Sequence, residues 1–251
     1  MPETENVYAT KYTMGELQIS KNEFLSEEEW SDYFKYQNQE PYYIQRYDGI
    51  CKQQEDGNYR IKYNVYGYDE AMIEQLRDFI LEGEIQPETI KNNNQVIVTA
   101  NMDGQGNYFF YGKKPGDTIT LRVPKTENYT DELLKFQSGE ENYIEKEFEI
   151  AAIVNRPLAQ EKDFLNTEVW KNAQSVIMTG EQMEENFGIT DYSFINASPA
   201  DSADAKIVSN QLLQVIRDVP KAVLQDYTTA IATQKLSLIH ISEPTRPLYI
   251  S

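Results

Sequence analysis

Tyr59-Arg-Ile-Lys-Tyr-Asn-Val-Tyr-Gly-Tyr-Asp69 is the stretch from which the fold is read. Tyr59, Ile61, Tyr63 and Val65 alternate with Arg60, Lys62 and Asn64, which predicts a β-strand with one buried and one wet face. Asp69 then stands at a helix N-cap, ahead of Met72, Ile73, Leu76 and Ile80 at helical spacing, with a stop near Gly83. Upstream, Tyr42 to Lys52 is expected to pair with this strand as a hairpin, because Glu55-Asp-Gly-Asn58 offers Asp-Gly to a type I′ turn. Before that, Ser26 caps a helix and Glu29 completes its capping box, with Leu25 and Trp30 as a hydrophobic staple. Trp30, Tyr33 and Phe34 form its apolar face, and Pro41 ends it. Val7 to Thr13, rich in β-branched and aromatic residues, is a strand.

Downstream, Gln95 to Ala100 is a compact strand around Val96-Ile97-Val98. Pro115-Gly116 turns the chain into a strand with Ile119, Leu121 and Val123 on one face. Thr126 to Asn142 is polar and acidic, with a small amphipathic piece at Leu133, Leu134 and Phe136. Phe148, Ile150, Ala152 and Val154 mark a further strand, and Arg156-Pro157 closes this middle section. The last third predicts a strand at Ser175–Thr179, a short helix over Glu181–Phe187 and a strand over Asp191–Ala197. A longer helix over Ser202–Asp218 follows, with Ala205, Val208, Leu212, Val215 and Ile216 along one side and a stop at Pro220. Lys221 to Tyr227 is a final strand. Strand–helix–strand at both ends predicts an α+β fold of two lobes. A split βαβ sandwich would be built from residues 1–66 and 166–235, with a mostly β subdomain, 67–165, inserted between them.

The chain has 251 residues, 40% of them apolar and 12% aromatic, enough for a sizeable core. Its 41 acidic and 23 basic residues leave a net charge of −18, which repels phosphate backbones and anionic lipid, so no nucleic-acid partner is expected. The longest apolar run, Ile150 to Val154, falls far short of the roughly 20 residues that span a bilayer. Met1 to Asn6 is acidic and polar, unlike a signal peptide. The single Cys51 lies in an apparent strand, where a structural thiol is expected, and one cysteine excludes an internal disulfide and cysteine-rich zinc sites. The single His240 lies in the run from Leu236 to Ser251, which resembles a translated sequencing-adapter read-through and is set aside as a non-native tail, 236–251. Without it no histidine remains for Ser-His, Cys-His or His-metal chemistry.

Other motifs resolve to structural roles. Asn101-Met-Asp-Gly-Gln-Gly-Asn107 lacks the alternating carboxylates and terminal Glu of a calcium loop, and Phe109 spoils a GxGxxG pattern. Glu27-Glu28-Glu29 sits in a first helical turn, where carboxylates favour the helix dipole. The tyrosines Tyr33, Tyr36, Tyr42, Tyr43 and Tyr47 read as a small core with hydroxyls at its edge. Asn128-Tyr-Thr130 and Asn196-Ala-Ser198 match the short glycosylation pattern. Chance pairs among so many carboxylates single out no glycosidase dyad. No catalytic, cofactor-binding or metal-binding residue is assigned, and no cofactor is expected.

Five segments then stand in a telling order: Val65-Tyr-Gly-Tyr-Asp69, Phe79-Ile-Leu-Glu-Gly-Glu84, Gln95-Val-Ile-Val-Thr-Ala100, Lys114-Pro-Gly-Asp-Thr-Ile-Thr-Leu121 and Phe148-Glu-Ile-Ala-Ala-Ile-Val154. That order resembles the extracytoplasmic domain of MacB/FtsX-type ABC transporter permeases, especially those of Gram-positive bacteria. Ala152 stands where the family often carries Gly. The resemblance runs from about Val7 to Lys235. It implies a membrane-proximal, porter-like lobe from both chain ends and an inserted mostly β lobe, located on the outer face of the cell membrane. It further implies a non-catalytic role that couples ATP-driven movement of membrane helices to export or to mechanotransmission. The implied partners are a second permease copy, a cytoplasmic ABC ATPase subunit acting through membrane helices outside this stretch, and a peptide, lipid or cell-wall protein client. Asp226 to Lys235 would approach such a membrane helix. The chain has no Walker A loop for ATP. The alternative is a secreted module that uses tyrosines and acidic surface to bind a cationic peptide or a glycan.

Overall fold

A computed structural model describes residues 2–19, 51–53, 59–102, 106–125, 143–158, 174–200, 203–219 and 222–224. The chain divides into two compact units, 8–195 and, from the two ends, 1–7 with 196–251. The strands are β1 (Thr4–Ile19), β2 (Cys51–Gln53), β3 (Tyr59–Tyr68), β4 (Ile80–Gly83), β5 (Gln95–Thr99), β6 (Asn101–Met102), β7 (Tyr108–Phe109), β8 (Thr118–Pro124), β9 (Tyr143–Val154), β10 (Ser175–Thr179) and β11 (Phe194–Pro199). The helices are α1 (Glu70–Gln75), continued by a 3-10 turn over Leu76–Phe79, then α2 (Pro87–Asn92), α3 (Gly180–Phe187) and α4 (Ala205–Ile216).

Within unit 8–195 the hydrogen-bonding circuit closes on itself. It runs β1–β8–β9–β5–β10–β3 and returns through the β1–β3 pairing. β3 runs antiparallel to β1, from Lys11 opposite Gly67 to Ile19 opposite Tyr59, and parallel to β10 on its other edge. β5 is parallel to β9 and antiparallel to β10. β2 extends β3 as the expected antiparallel partner, with Gln53 opposite Tyr59 and Cys51 opposite Ile61.

Alternation decides which side chains fill the circuit. Ile61, Tyr63 and Val65 of β3, Val96 and Val98 of β5, Ile119, Leu121 and Val123 of β8, and Val176 and Met178 of β10 join one core cluster. Met183 and Phe187 of α3 join it too. The opposite face of β3, β5 and β10 carries Tyr66, Tyr68, Ile97 and Ile177, which pack with Met72, Ile73, Leu76, Ile85 and Ile90 under α1 and α2. β5 and β10 are therefore covered on both faces, which is why Val96-Ile97-Val98 and Val176-Ile177-Met178 are unbroken apolar runs.

The same sheet draws on strands from all three sections of the chain. β5, β8 and β9 lie in the section expected as a separate subdomain, 67–165, yet they bond into one sheet with β1, β3 and β10 from the flanking sections. The limit at residue 66 falls inside β3.

Local differences also have physical reasons. Phe148 and Ile150 of β9 point into the circuit, but Ala152 and Val154 belong to the outer cluster while Ile153 turns inward. The cause is a bulge between Ile150 and Ala152 in the pairing with β5, which shifts the register by one residue. The first helix ends earlier than expected. Ile80 is extended and opens β4 opposite Val154, and the Asn155 N–H donates to the Phe79 carbonyl at 2.9 Å. β11 begins at Phe194 rather than Asp191. Residues 222–224, inside the expected final strand, are not in a strand. The helix capped by Ser26, the tyrosines at 33–47, the turn at 55–58, the piece at 133–136 and the tail 236–251 with His240 lie outside the described residues.

Candidate functional site

A groove of about 950 Å3 lies between α1 and the segment that leads from β4 into α2. Its construction starts at Asp69. One carboxylate oxygen accepts the Met72 N–H at 2.8 Å as an N-cap, and the other accepts the Ala9 N–H at 3.4 Å, so α1 is pinned to β1 as well as to the end of β3. Met72, Ile73 and Leu76 bury one side of the helix, and the other side turns Glu70, Ala71, Glu74 and Arg77 to the groove.

Arg77 ties the two walls together. Its Nε donates to the Ile85 carbonyl at 3.0 Å and its Nη1 pairs with Glu74 at 2.8 Å. Across the groove, Pro87 occupies the first turn of α2, where a missing N–H costs nothing, and Ile90 is fully buried beneath it. Gln86 Nε2 donates to Glu84 at 2.6 Å, and Thr89 Oγ1 donates to Gln86 Oε1 at 3.2 Å. Glu70, Glu74, Glu84 and Glu88 are all exposed on the rim.

The floor of the groove depends on Gly83. Its φ is +87°, a left-handed conformation, and a Cβ there would press on the Ala151 carbonyl oxygen and lie 2.9 Å from the Ala152 Cα. Only glycine lets β4 lie against the β9 bulge. Electrostatically the groove attracts cations and repels anions, and because its carboxylates are exposed the effect weakens with salt. Among the described residues no group of three or more His, Cys, Asp or Glu side chains is placed to hold a metal ion.

The structure disperses the other features marked in the sequence. Asn101 is buried in β6 and accepts a hydrogen bond from Gln174 Nε2. Asn101 and Met102 pair antiparallel with Phe109 and Tyr108 of β7. Cys51 is in β2. Asn196 lies in β11, half-buried, with Ser198 exposed. Glu27–Glu29 and Asn128 lie outside the described residues.

The groove itself was not read from the sequence, although a signal exists: Asp69 to Glu88 contains seven acidic residues and one basic residue. Nor was Gln182 singled out. It is buried, its Oε1 accepts from the Thr179 N–H at 2.9 Å, and its Nε2 donates to the Ile90 and Gln95 carbonyls at 3.2 and 2.9 Å. It joins α3, α2 and β5 at one point.

No family model matches the chain, and no curated protein matches it in sequence. Among solved structures, the chain is similar to the extracellular domain of the noncanonic ABC-type transporter YknZ from Gram-positive bacteria. The identity is 8% and the TM-score 0.43, over 86% of this chain and 76% of that one. It is also similar to the periplasmic region of MacB from Actinobacillus actinomycetemcomitans, with 9% identity and a TM-score of 0.47 over 94% of this chain and 78% of that one. No helix among the described residues is long and apolar enough to cross a membrane.

Proposed function

We propose that this chain is a non-catalytic extracytoplasmic domain of an ABC transporter permease of the MacB/FtsX type. The supporting observation is where the five family-like segments fall. Val65–Asp69 ends β3 and caps α1, Phe79–Glu84 is β4 with its flanks, and Gln95–Ala100 is β5. Lys114–Leu121 is the turn into β8, and Phe148–Val154 is the end of β9. β4, β5 and β8 each pair with β9, so segments far apart in sequence are neighbours in one sheet. Two of the segments carry glycines that the packing demands, Gly67 beneath α3 and Gly83 against the bulge.

In this role the domain relays ATP-driven movement of membrane helices, with ATP hydrolysed by a separate cytoplasmic subunit. Two permease copies work together at the outer face of the cell membrane. The client is a peptide, a lipid or a cell-wall protein.

The test is the source DNA on both sides of this reading frame. The proposal expects an apolar segment of membrane-spanning length before residue 1 and further such segments after about residue 235, beside a gene for an ABC ATPase. Flanking sequence without any such segment removes the proposal. Pull-down of the full-length permease should recover the ATPase, and its loss on deleting the membrane segments alone would place the contact there.

A further inference from the structure

We draw no further inference here: the strongest candidate, the acidic groove between α1 and the segment that leads from β4 into α2, rests on a cluster of exposed carboxylates, two of which, Glu74 and Glu84, are held in local contacts, and nothing in the structure shows what would occupy it.

Discussion

Helix α3 has eight residues, three of them glutamate, and still buries Gln182, Met183 and Phe187. Helix α4 has twelve residues and more apolar side chains, yet buries only Val208, leaving Ile207, Leu213 and Val215 at 57%, 49% and 61% exposure. Both have sound N-caps: Thr179 and Gln182 form a capping box at α3, and Asp204 accepts the Lys206 and Ile207 N–H groups at α4. Local sequence therefore makes both helices, but cover comes from elsewhere. α3 lies against the sheet because Gly67 on β3 has no side chain to hold it off, and because the apolar pair Met183 and Phe187 is one helical turn apart. Among the described residues, α4 keeps Ala205, Leu212 and Ile216 half-buried beside Val208 and leaves Ile207, Leu213 and Val215 exposed.

The largest expected difference follows from the two apolar faces. Met183→Ala should cost about 2–5 kcal/mol in urea unfolding, as a large core side chain is lost and only partly refilled, whereas Val215→Ala should fall within about 0.5 kcal/mol of the parent. Equal costs would mean that the α4 face is covered after all. Next, Gln182→Ala leaves the Ile90 and Gln95 carbonyls without their donor, and about 1–3 kcal/mol should be lost for each buried group left unpaired. Gln182→Glu is the sharper variant. It keeps the volume and an acceptor for the Thr179 N–H but sets a buried carboxylate oxygen against two carbonyl oxygens, so it should cost more than alanine. Below these, Gly67→Ala should cost about 1–3 kcal/mol, because its Cβ would lie 2.5 Å from Met183 Cγ and 3.1 Å from the Gly180 Cα. If Gly67→Ala is neutral, α3 does not depend on the gap.

The same contrast separates what sequence reveals from what it withholds. β3, β5, β8 and β10 were legible because period-two alternation or a short apolar run is a local property. The seat for α3 depends on Gly67 and Gly180 meeting across more than a hundred residues, and no pattern near either shows it. Every residue from Ile150 to Val154 is apolar, so the sequence cannot say where the β9 alternation slips; pairing with β5 and β4 decides it. α2 has one buried residue, Ile90, and too few apolar positions for a period, although Pro87 and Glu88 mark its start. The acidic groove needs Arg77 to bring Ile85 back to α1, a contact set by the turn at Phe79 and Ile80. Its carboxylates were visible singly among the 41 acidic residues, and only folding brings Glu70, Glu74, Glu84 and Glu88 to one rim.

The smallest expected effects test the comparison from its other side. Thr179→Ala and Asp204→Ala each remove a cap, and a cap is worth about 1 kcal/mol to the helix it starts. The two losses should nevertheless be read by different instruments. α3 is part of the buried core of its unit, so its cap loss should appear in global unfolding and in slowed-exchange amides of β10 together with those of α3. α4 has one buried side chain to hold it, so its cap loss should appear chiefly as faster hydrogen exchange at Ile207 to Gln211, with little movement of the global midpoint. If Asp204→Ala lowers the global midpoint as far as Thr179→Ala does, α4 unfolds with the sheet. Its exposed apolar residues would then be covered in solution, and the contrast between the two helices would fail at its root.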